Sequence, residues 1–267
     1  MLQRLRNRPL LTSLLVVLLY GLWFIVPMFF TQMPPDAHGT VGIEGALKMW
    51  KSELITAGVL VLIVSILGWW REIGFRSIKR GGVKFLLPIL LLILLMLNLA
   101  WVADESHSWF LGFQSPLQLV SLLSVIVLLG LVEEGVFRGV FFYGLSTHFS
   151  PLVTVLLSAG LFGLFHFVNI FTGAAIMDTV FQATHAAAMG FLYASLRLRI
   201  GAIWPLILLH GLWDFSLFVL QSTTQAGAQP QSDSTLSAGF AIAVPALVYG
   251  IFVYWQWSRT SKENSVA

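Results

Sequence analysis

The chain has 267 residues, of which 57% are hydrophobic and only 10% are charged, and its mean hydropathy is +0.86. Soluble domains carry about 25% charged residues, so this composition excludes an ordinary soluble domain and predicts an all-α fold, a polytopic transmembrane helix bundle. The net charge of +3 comes from short basic clusters between apolar runs rather than from a nucleic-acid-binding surface, and the absence of cysteine excludes disulfide bonds, thiolate metal ligands and a cysteine nucleophile.

About eight apolar segments are long enough to cross a bilayer as helices, since a spanning helix needs about 20 mostly apolar residues. They are residues 10–30, 54–70, 84–102, 117–144, 151–170, 179–196, 201–220 and 239–257. The first follows a basic head, MLQRLRNRPL, but it is too long for the apolar region of a typical signal peptide. We therefore expect it to be retained as a membrane span.

The basic residues between these segments predict the orientation of the chain. With eight spans, all the basic clusters fall on one side: Arg4, Arg6 and Arg8; Arg71, Arg76, Lys79, Arg80 and Lys84; Arg197 and Arg199; Arg259 and Lys262. The opposite segments 103–116 and 221–237 contain no Lys or Arg, and the opposite segment 31–53 contains Lys48 and Lys51, offset by Asp36, Glu44 and Glu53. Both termini should therefore be cytoplasmic in a multi-pass integral membrane protein, located in the plasma or inner membrane if the source is bacterial. The basic segment 71–82 is either an amphipathic helix on the inner leaflet or a plain loop.

Two adjacent acids lie inside the fourth segment, in the sequence LVEEGVFRGV. A charge near the bilayer centre costs about 2.5–3.5 kcal/mol on insertion scales, so such residues usually face a bundle interior or a wet cavity. Glu134 and Arg138 are four apart with the acid first, which favours a helical ion pair. Glu133 points about 100° away, and we expect it to be available for proton chemistry. The alternative is a purely structural network, but two acids share one base here.

Further ionisable residues lie inside later segments. His166 is predicted to lie mid-helix in the fifth segment, where it fits a packing role as well as a functional one. His210 and Asp214 in the seventh are four apart and share a helix face, where a carboxylate can hold a histidine in one tautomer or simply tie two helices together. Gln182 and His185 in the sixth could line the same cavity, although an interhelical hydrogen bond is the commoner role for such residues.

Glu133, His166 and His210 come from three predicted helices and together could activate a water molecule. A buried glutamate is a suitable general base. A His–His–Glu set is also a known catalytic zinc site, so a divalent metal such as zinc is a candidate cofactor and the metal requirement stays open. The metalloprotease motif H-E-x-x-H and the nucleophile motif G-x-S-x-G are both absent.

Three short motifs match a known family pattern. EEGVFRG fits E-E-x-x-x-R, LFGLFHF fits F-x-x-x-H, and HGLWD fits H-x-x-x-N/D. In this order, over about residues 115–220, they resemble the CPBP family of CAAX proteases and bacteriocin-processing enzymes, also called the ABI family, which includes the type II CAAX prenyl endopeptidases. The resemblance implies an intramembrane endopeptidase with a water-filled cavity, which hydrolyses a peptide bond near the cytoplasmic side. It leaves open whether catalysis is of the glutamate or the metallo type.

The resemblance also implies roles for the motif residues. Water activation falls to Glu133 and His166, an orienting or substrate-binding role to Glu134 and Arg138, and oxyanion stabilisation to His210 and Asp214. The implied partners are a lipid bilayer and a peptide or protein substrate, with prenylation or membrane anchoring of that substrate left open, as is the oligomeric state.

One position departs from the commoner family pattern. Many members have Asn where this chain has Asp214. An ionised aspartate can only accept hydrogen bonds, so it could not itself stabilise an oxyanion. We therefore expect His210 to donate to the oxyanion, while Asp214 orients that histidine or favours its charged form.

Three regions follow from these assignments: N-terminal transmembrane helices with a basic loop at 1–114, a catalytic helix core at 115–220, and a loop, last span and tail at 221–267. A proton-coupled transporter is the main alternative function, because Glu and His chains also suit proton relays. No inverted repeat supports it. A non-catalytic scaffold or bacteriocin-immunity protein is a third possibility, although the chain keeps every catalytic-type residue.

Overall fold

A computed structural model describes the backbone of residues 2–28, 43–103, 116–225 and 232–266, and within these ranges the chain is helical and has no strand. The α-helices are α1 (Leu2–Arg6), α2 (Pro9–Met28), α3 (Ile43–Leu67), α4 (Leu87–Ala103), α5 (Pro116–Glu133), α6 (Phe142–Ser146), α7 (Pro151–Phe165), α8 (Ile176–Ile200), α9 (Trp204–Gln225) and α10 (Ser232–Val266). A π-helical segment, Glu134–Phe141, joins α5 to α6, and 3-10 helices occupy Val83–Phe85 and His166–Thr172. The predicted all-α class is confirmed.

Five of the segments in the described part of the chain are long and apolar enough to cross a membrane. They are Pro9–Val26, Trp50–Leu67, Val83–Val102, Leu119–Ser146 and Pro151–Phe171, and each overlaps one of the first five predicted spans. The predicted spans 179–196 and 239–257 lie within α8 and α10, and 201–220 overlaps α9. The count of eight spans and the cytoplasmic location of both termini stay predictions. The protein is an integral membrane protein.

Helix α8 lies at the centre of the packing, between α7 and α10, while α5 packs between α3 and α9. Small residues allow the contact between α5 and α9. A Cβ atom on Gly130 of α5 would lie 2.7 Å from the carbonyl oxygen of Ile207, and one on Gly211 of α9 would lie 3.2 Å from the carbonyl oxygen of Ile126. Both contacts are with backbone atoms, which cannot move aside easily. The two glycines therefore bring α5 and α9 together beside the acidic pair and His210.

The basic segment 71–82 forms turns rather than a helix, so the loop interpretation is the right one. It is bound to the end of α8: the Lys79 amide donates to the Ile200 carbonyl (2.8 Å), and the Ile203 amide donates to the Gly74 carbonyl (2.9 Å). Gly201 ends α8 in the left-handed conformation, with φ of 75°. Burial and the nearby guanidinium groups, of which Arg76 is one, lower the pKa of Lys79. Two of the predicted basic clusters thus meet at one end of the bundle.

Candidate active site

A cavity of about 340 Å³ lies between the π-helical segment, the end of α7, α8 and α9. Its charged and polar wall residues are Glu134, Arg138, His166, Gln182, His185, Tyr193, His210 and Asp214. The three family-type motifs therefore meet at one place in the fold, although they are spread over about eighty residues of sequence. Glu133 reaches this site through its contact with His210.

Glu134 is the centre of the polar network. Its carboxylate is buried, and Oε1 accepts hydrogen bonds from Nη1 of Arg138 (3.0 Å) and from Nδ1 of His210 (2.9 Å). The ion pair with Arg138 is the one that the spacing predicts, but it forms within a π-helix rather than an α-helix. Segments of π-helix are rare and frequently occur at functional sites. Glu134 thus holds the His210 ring in place, and Arg138 neutralises the charge of Glu134.

His210 also contacts two further carboxylates through its other nitrogen. Nε2 lies 3.5 Å from Oε2 of Glu133 and 3.5 Å from Oδ2 of Asp214. Glu133 and Glu134 therefore contact different nitrogens of the same imidazole ring. The rotation of about 100° between adjacent residues of an α-helix predicts instead that they contact different neighbours. Since carboxylates only accept, a proton on each ring nitrogen satisfies contacts on both edges. A charged imidazole placed in this way can stabilise negative charge that develops beside it.

His166 lies where α7 ends and the 3-10 helix begins, so it is at a helix terminus rather than in mid-helix. Its Nδ1 is 2.9 Å from the carbonyl oxygen of Phe162. A carbonyl can only accept, so Nδ1 carries the proton in this contact and Nε2 of the neutral ring is an acceptor. The ring lines the cavity and is half-buried. It can therefore accept a hydrogen bond from a water molecule there.

Aromatic rings surround this polar network. Phe162, the phenylalanine of the F-x-x-x-H motif, contacts ionisable residues of all three motifs: its ring is 4.0 Å from Cζ of Arg138 and packs edge-on against both His166 and His210. The ring of Tyr193 on α8 also packs against His210, with centroids 5.8 Å apart. Apolar rings beside the charged groups lower the local polarity, which strengthens the electrostatic contacts between those groups.

Gln182 has both of the roles that the sequence left open, and His185 has the first of them. Both line the cavity, and the Gln182 side-chain oxygen also accepts a hydrogen bond from Asn169 (2.8 Å), which links α8 to the 3-10 helix. The ring of His185 stacks on Trp213 of α9, with centroids 6.0 Å apart and an interplanar angle of 22°. These contacts give α8 a polar face towards the site.

The arrangement does not match the zinc site that the residue types allow. Among the described residues, no three His, Asp or Glu side chains form a group that could hold a metal ion. Both nitrogens of His210 already face carboxylate oxygens, with Glu134 at the closer contact. His210 is therefore engaged at both nitrogens and does not fit the role of a metal ligand.

Sequence reasoning did not single out Tyr193, Gly130 or Gly211. Tyr193 follows Met189 by four residues and Met189 follows His185 by four, so the three share one helix face with Gln182. That spacing could have predicted that Tyr193 lies on the same side of the helix as the two polar residues. The two glycines carry no comparable signal, because only the packed structure shows which of the chain's 23 glycines meet a facing backbone.

Comparison with known families gives a match over part of the chain. Residues 115–216 match the family described as type II CAAX prenyl endopeptidase Rce1-like. The match contains all three motifs, and it confirms the resemblance to CAAX-type proteases for this part of the chain. No curated protein and no solved structure matches the chain.

Proposed function

We propose, from the match of residues 115–216 to the type II CAAX prenyl endopeptidase family, that this protein is an intramembrane endopeptidase. It hydrolyses a peptide bond near the cytoplasmic side of the membrane with water activated by Glu133 and His166. The proposal rests chiefly on one observation: Glu133, Glu134, His210 and Asp214 form one connected network at a cavity that His166 also lines.

The geometry supports a division of tasks within this network. Glu133 is the acid that Arg138 does not pair with, and its side chain keeps 13% of its surface exposed. Glu134, at 1% exposure, is held by Arg138 and His210. Glu133 is therefore better placed to exchange a proton with water, whereas Glu134 is better placed to fix the ring of His210.

In the first step, Glu133 takes a proton from a water molecule that also donates to Nε2 of His166. The water oxygen forms a bond to the scissile carbonyl carbon, and the carbonyl π electrons move to the oxygen to give an oxyanion. His210, held by Glu134, stabilises that charge. In the second step, the oxyanion re-forms the carbonyl, the C–N bond breaks, and the proton on Glu133 passes to the leaving nitrogen. The products are a carboxylic acid and an amine.

The family description points to a substrate class. A CAAX prenyl endopeptidase acts on a peptide whose cysteine carries an isoprenoid, and we propose a prenylated or otherwise membrane-anchored peptide as the partner here. A multi-pass fold of eight spans with both termini in the cytoplasm suits such a substrate, because the lipid chain can stay in the bilayer while the peptide enters the cavity. No step of the proposal needs nucleic acid or a metal.

The proposal is tested by cleavage of a panel of membrane peptides and prenylated CAAX peptides by the purified protein in liposomes. We expect the wild type to cleave at least one of them and Glu133→Gln to lose at least about a hundredfold in kcat, since general acid–base catalysis contributes about 10²–10⁴-fold. The same reactions with a chelator measure any need for a removable metal, and we expect cleavage to persist.

Glu72→Gln is the matched control, because Glu72 is an exposed acid in the loop after α3. It should cleave at the wild-type rate. Equal cleavage by wild type and Glu133→Gln would assign the activity to a contaminant. Proton flux into the same liposomes that needs Glu133, without cleavage, would instead support the transporter alternative.

A further inference from the structure

The hydroxyl group of Tyr193 is a buried polar group that takes no part in the two hydrolytic steps. The side chain is 3% exposed, and the hydroxyl oxygen makes no hydrogen bond within the described residues. Leaving a buried hydroxyl without a partner costs about 1–3 kcal/mol in proteins, so such a group calls for an explanation. Most other buried hydroxyls in the described part of the chain bond to a carbonyl, as Ser158 and Ser195 do, and Thr154 is a further exception.

Tyr193 lies at the polar network and not in the apolar part of the bundle. It lines the cavity, its ring packs at 60° on the His210 ring, and Cζ of Arg138 is 6.0 Å from its centroid. Gly190, one turn earlier in α8, brings the helix close to the same guanidinium: a Cβ there would lie 3.0 Å from Nη2 of Arg138. The close approach of α8 places the phenol ring beside His210 and Arg138, two residues of the proposed site.

The proposed reaction also requires a hydrogen-bond donor that the motifs do not supply in full. An oxyanion is stabilised by donors aimed at it, and an Asn side chain would offer an N–H group. Asp214 occupies that position in this chain and, when ionised, can only accept. His210 already has Glu134 at Nδ1, and Glu133 and Asp214 at Nε2. A second donor from another helix would complete the site.

We propose that Tyr193 is this donor: its hydroxyl donates a hydrogen bond to the scissile carbonyl oxygen and strengthens that bond as the oxygen becomes an oxyanion. The inference rests on the proposed peptidase function. No proton is transferred, so the phenol keeps its hydrogen throughout, and the balance of the two hydrolytic steps is unchanged. A second acceptor competes for the hydroxyl, since Oε2 of Glu134 is also buried without a hydrogen bond among the described residues. A bond to Glu134 would make Tyr193 a structural residue instead.

The first test compares Tyr193→Phe with wild type, because phenylalanine keeps the ring and its packing and removes only the hydroxyl. Removing one oxyanion donor lowers kcat by about 10²–10³-fold in a well-studied case. We expect kcat to fall at least tenfold while KM and the unfolding temperature stay unchanged. Tyr249→Phe is the control, since Tyr249 is half-buried and its hydroxyl donates to the Phe85 carbonyl, away from the cavity. It should cleave like wild type.

The second test repeats the Tyr193→Phe change in an Asp214→Asn background. Asparagine restores an amide donor, so the loss caused by removing the phenol should be smaller there than in the wild-type background. A loss of the same size in both backgrounds, or a fall in unfolding temperature that accompanies the loss of kcat, would assign the hydroxyl to Glu134 and overturn the inference.

The outcomes separate this inference from the function on which it rests. If wild type cleaves and Tyr193→Phe cleaves within twofold of it, the oxyanion role is wrong and the peptidase stands. If the wild type cleaves no peptide of the panel, both the peptidase function and the oxyanion role of Tyr193 are wrong.

Discussion

At the residue scale, one hydrogen bond decides what His166 can do. Its Nδ1 donates to the carbonyl of Phe162, the residue one turn before it, so the ring orientation is set by the backbone of its own helix. Nε2 is thereby left as the acceptor of the neutral ring. The chemistry of this histidine therefore depends on where α7 ends, because the last turn supplies the carbonyl.

Replacement of His166 by Asn should distinguish the role of Nδ1 from that of Nε2. An asparagine amide can occupy the Nδ1 position and keep the bond to Phe162, but it has nothing at Nε2. We expect His166→Asn to retain the wild-type unfolding temperature in detergent and to lose at least about a hundredfold in kcat, as for other groups that assist proton transfer. His166→Gln, which places its amide nearer Nε2, should keep more activity than the Asn variant. The reverse order would show that Nδ1 is the functional nitrogen.

The Glu134–Arg138 pair yields a prediction about stability. Both side chains are 1% exposed, and removal of one partner of a buried ion pair costs about 3–5 kcal/mol. Arg138→Met should therefore lower the unfolding temperature markedly, whereas Arg71→Met at an exposed loop position should not. Adding Glu134→Gln to Arg138→Met removes the stranded charge and should recover part of the loss. No recovery in the double variant would mean that Arg138 acts by packing against Phe162 rather than by charge.

At the element scale, the contact between α5 and α9 sets the site. Gly130→Ala would place a methyl group 2.7 Å from the Ile207 carbonyl oxygen, so the helices must separate. We expect cleavage to fall at least tenfold, since displacements of about 1 Å can cost 10² in rate. Gly160→Ala is the control: apart from its own neighbours and helix backbone, no atom of the described residues lies within 4 Å of its Cβ position, and the change should leave cleavage intact. Equal rates for both variants would show that the helix spacing is not critical.

At the scale of the whole molecule, the topology of α8 can be tested because the chain has no cysteine. Single cysteines at Arg71 and Asp178 lie at exposed positions, before α4 and in the first turn of α8. With eight spans, an impermeant maleimide should label Arg71→Cys only from the cytoplasmic face and Asp178→Cys only from the opposite face. Labelling of both from one face would reduce the number of spans and change the predicted orientation.

The helical class, the first five spans and the meeting of the three motifs could be predicted from hydropathy and spacing. The i, i+4 rule also gave the Glu134–Arg138 contact, because a buried acid needs its neighbouring base in either kind of helix. The same rule assumed an α-helix, so it missed that Glu133 and Glu134 reach the same ring. Tyr193 escaped notice since a tyrosine in an apolar helix has many ordinary packing roles. Only the packed structure shows that its hydroxyl group is buried without a hydrogen-bond partner among the described residues.

The π-helical segment has a consequence for the evolution of such chains. Its hydrogen bonds close over five residues rather than four, so it uses more chain per turn than the α-helices that it joins. In a regular helix, the loss of one residue rotates everything beyond it by about 100°. Here a single codon deletion between Gly135 and Phe141 could be absorbed by relaxation to an α-helix, with α5 and α6 still facing their partners. The bundle would survive and the register of Arg138 against Glu134 would change, which is a one-step route from an enzyme to an inert membrane scaffold.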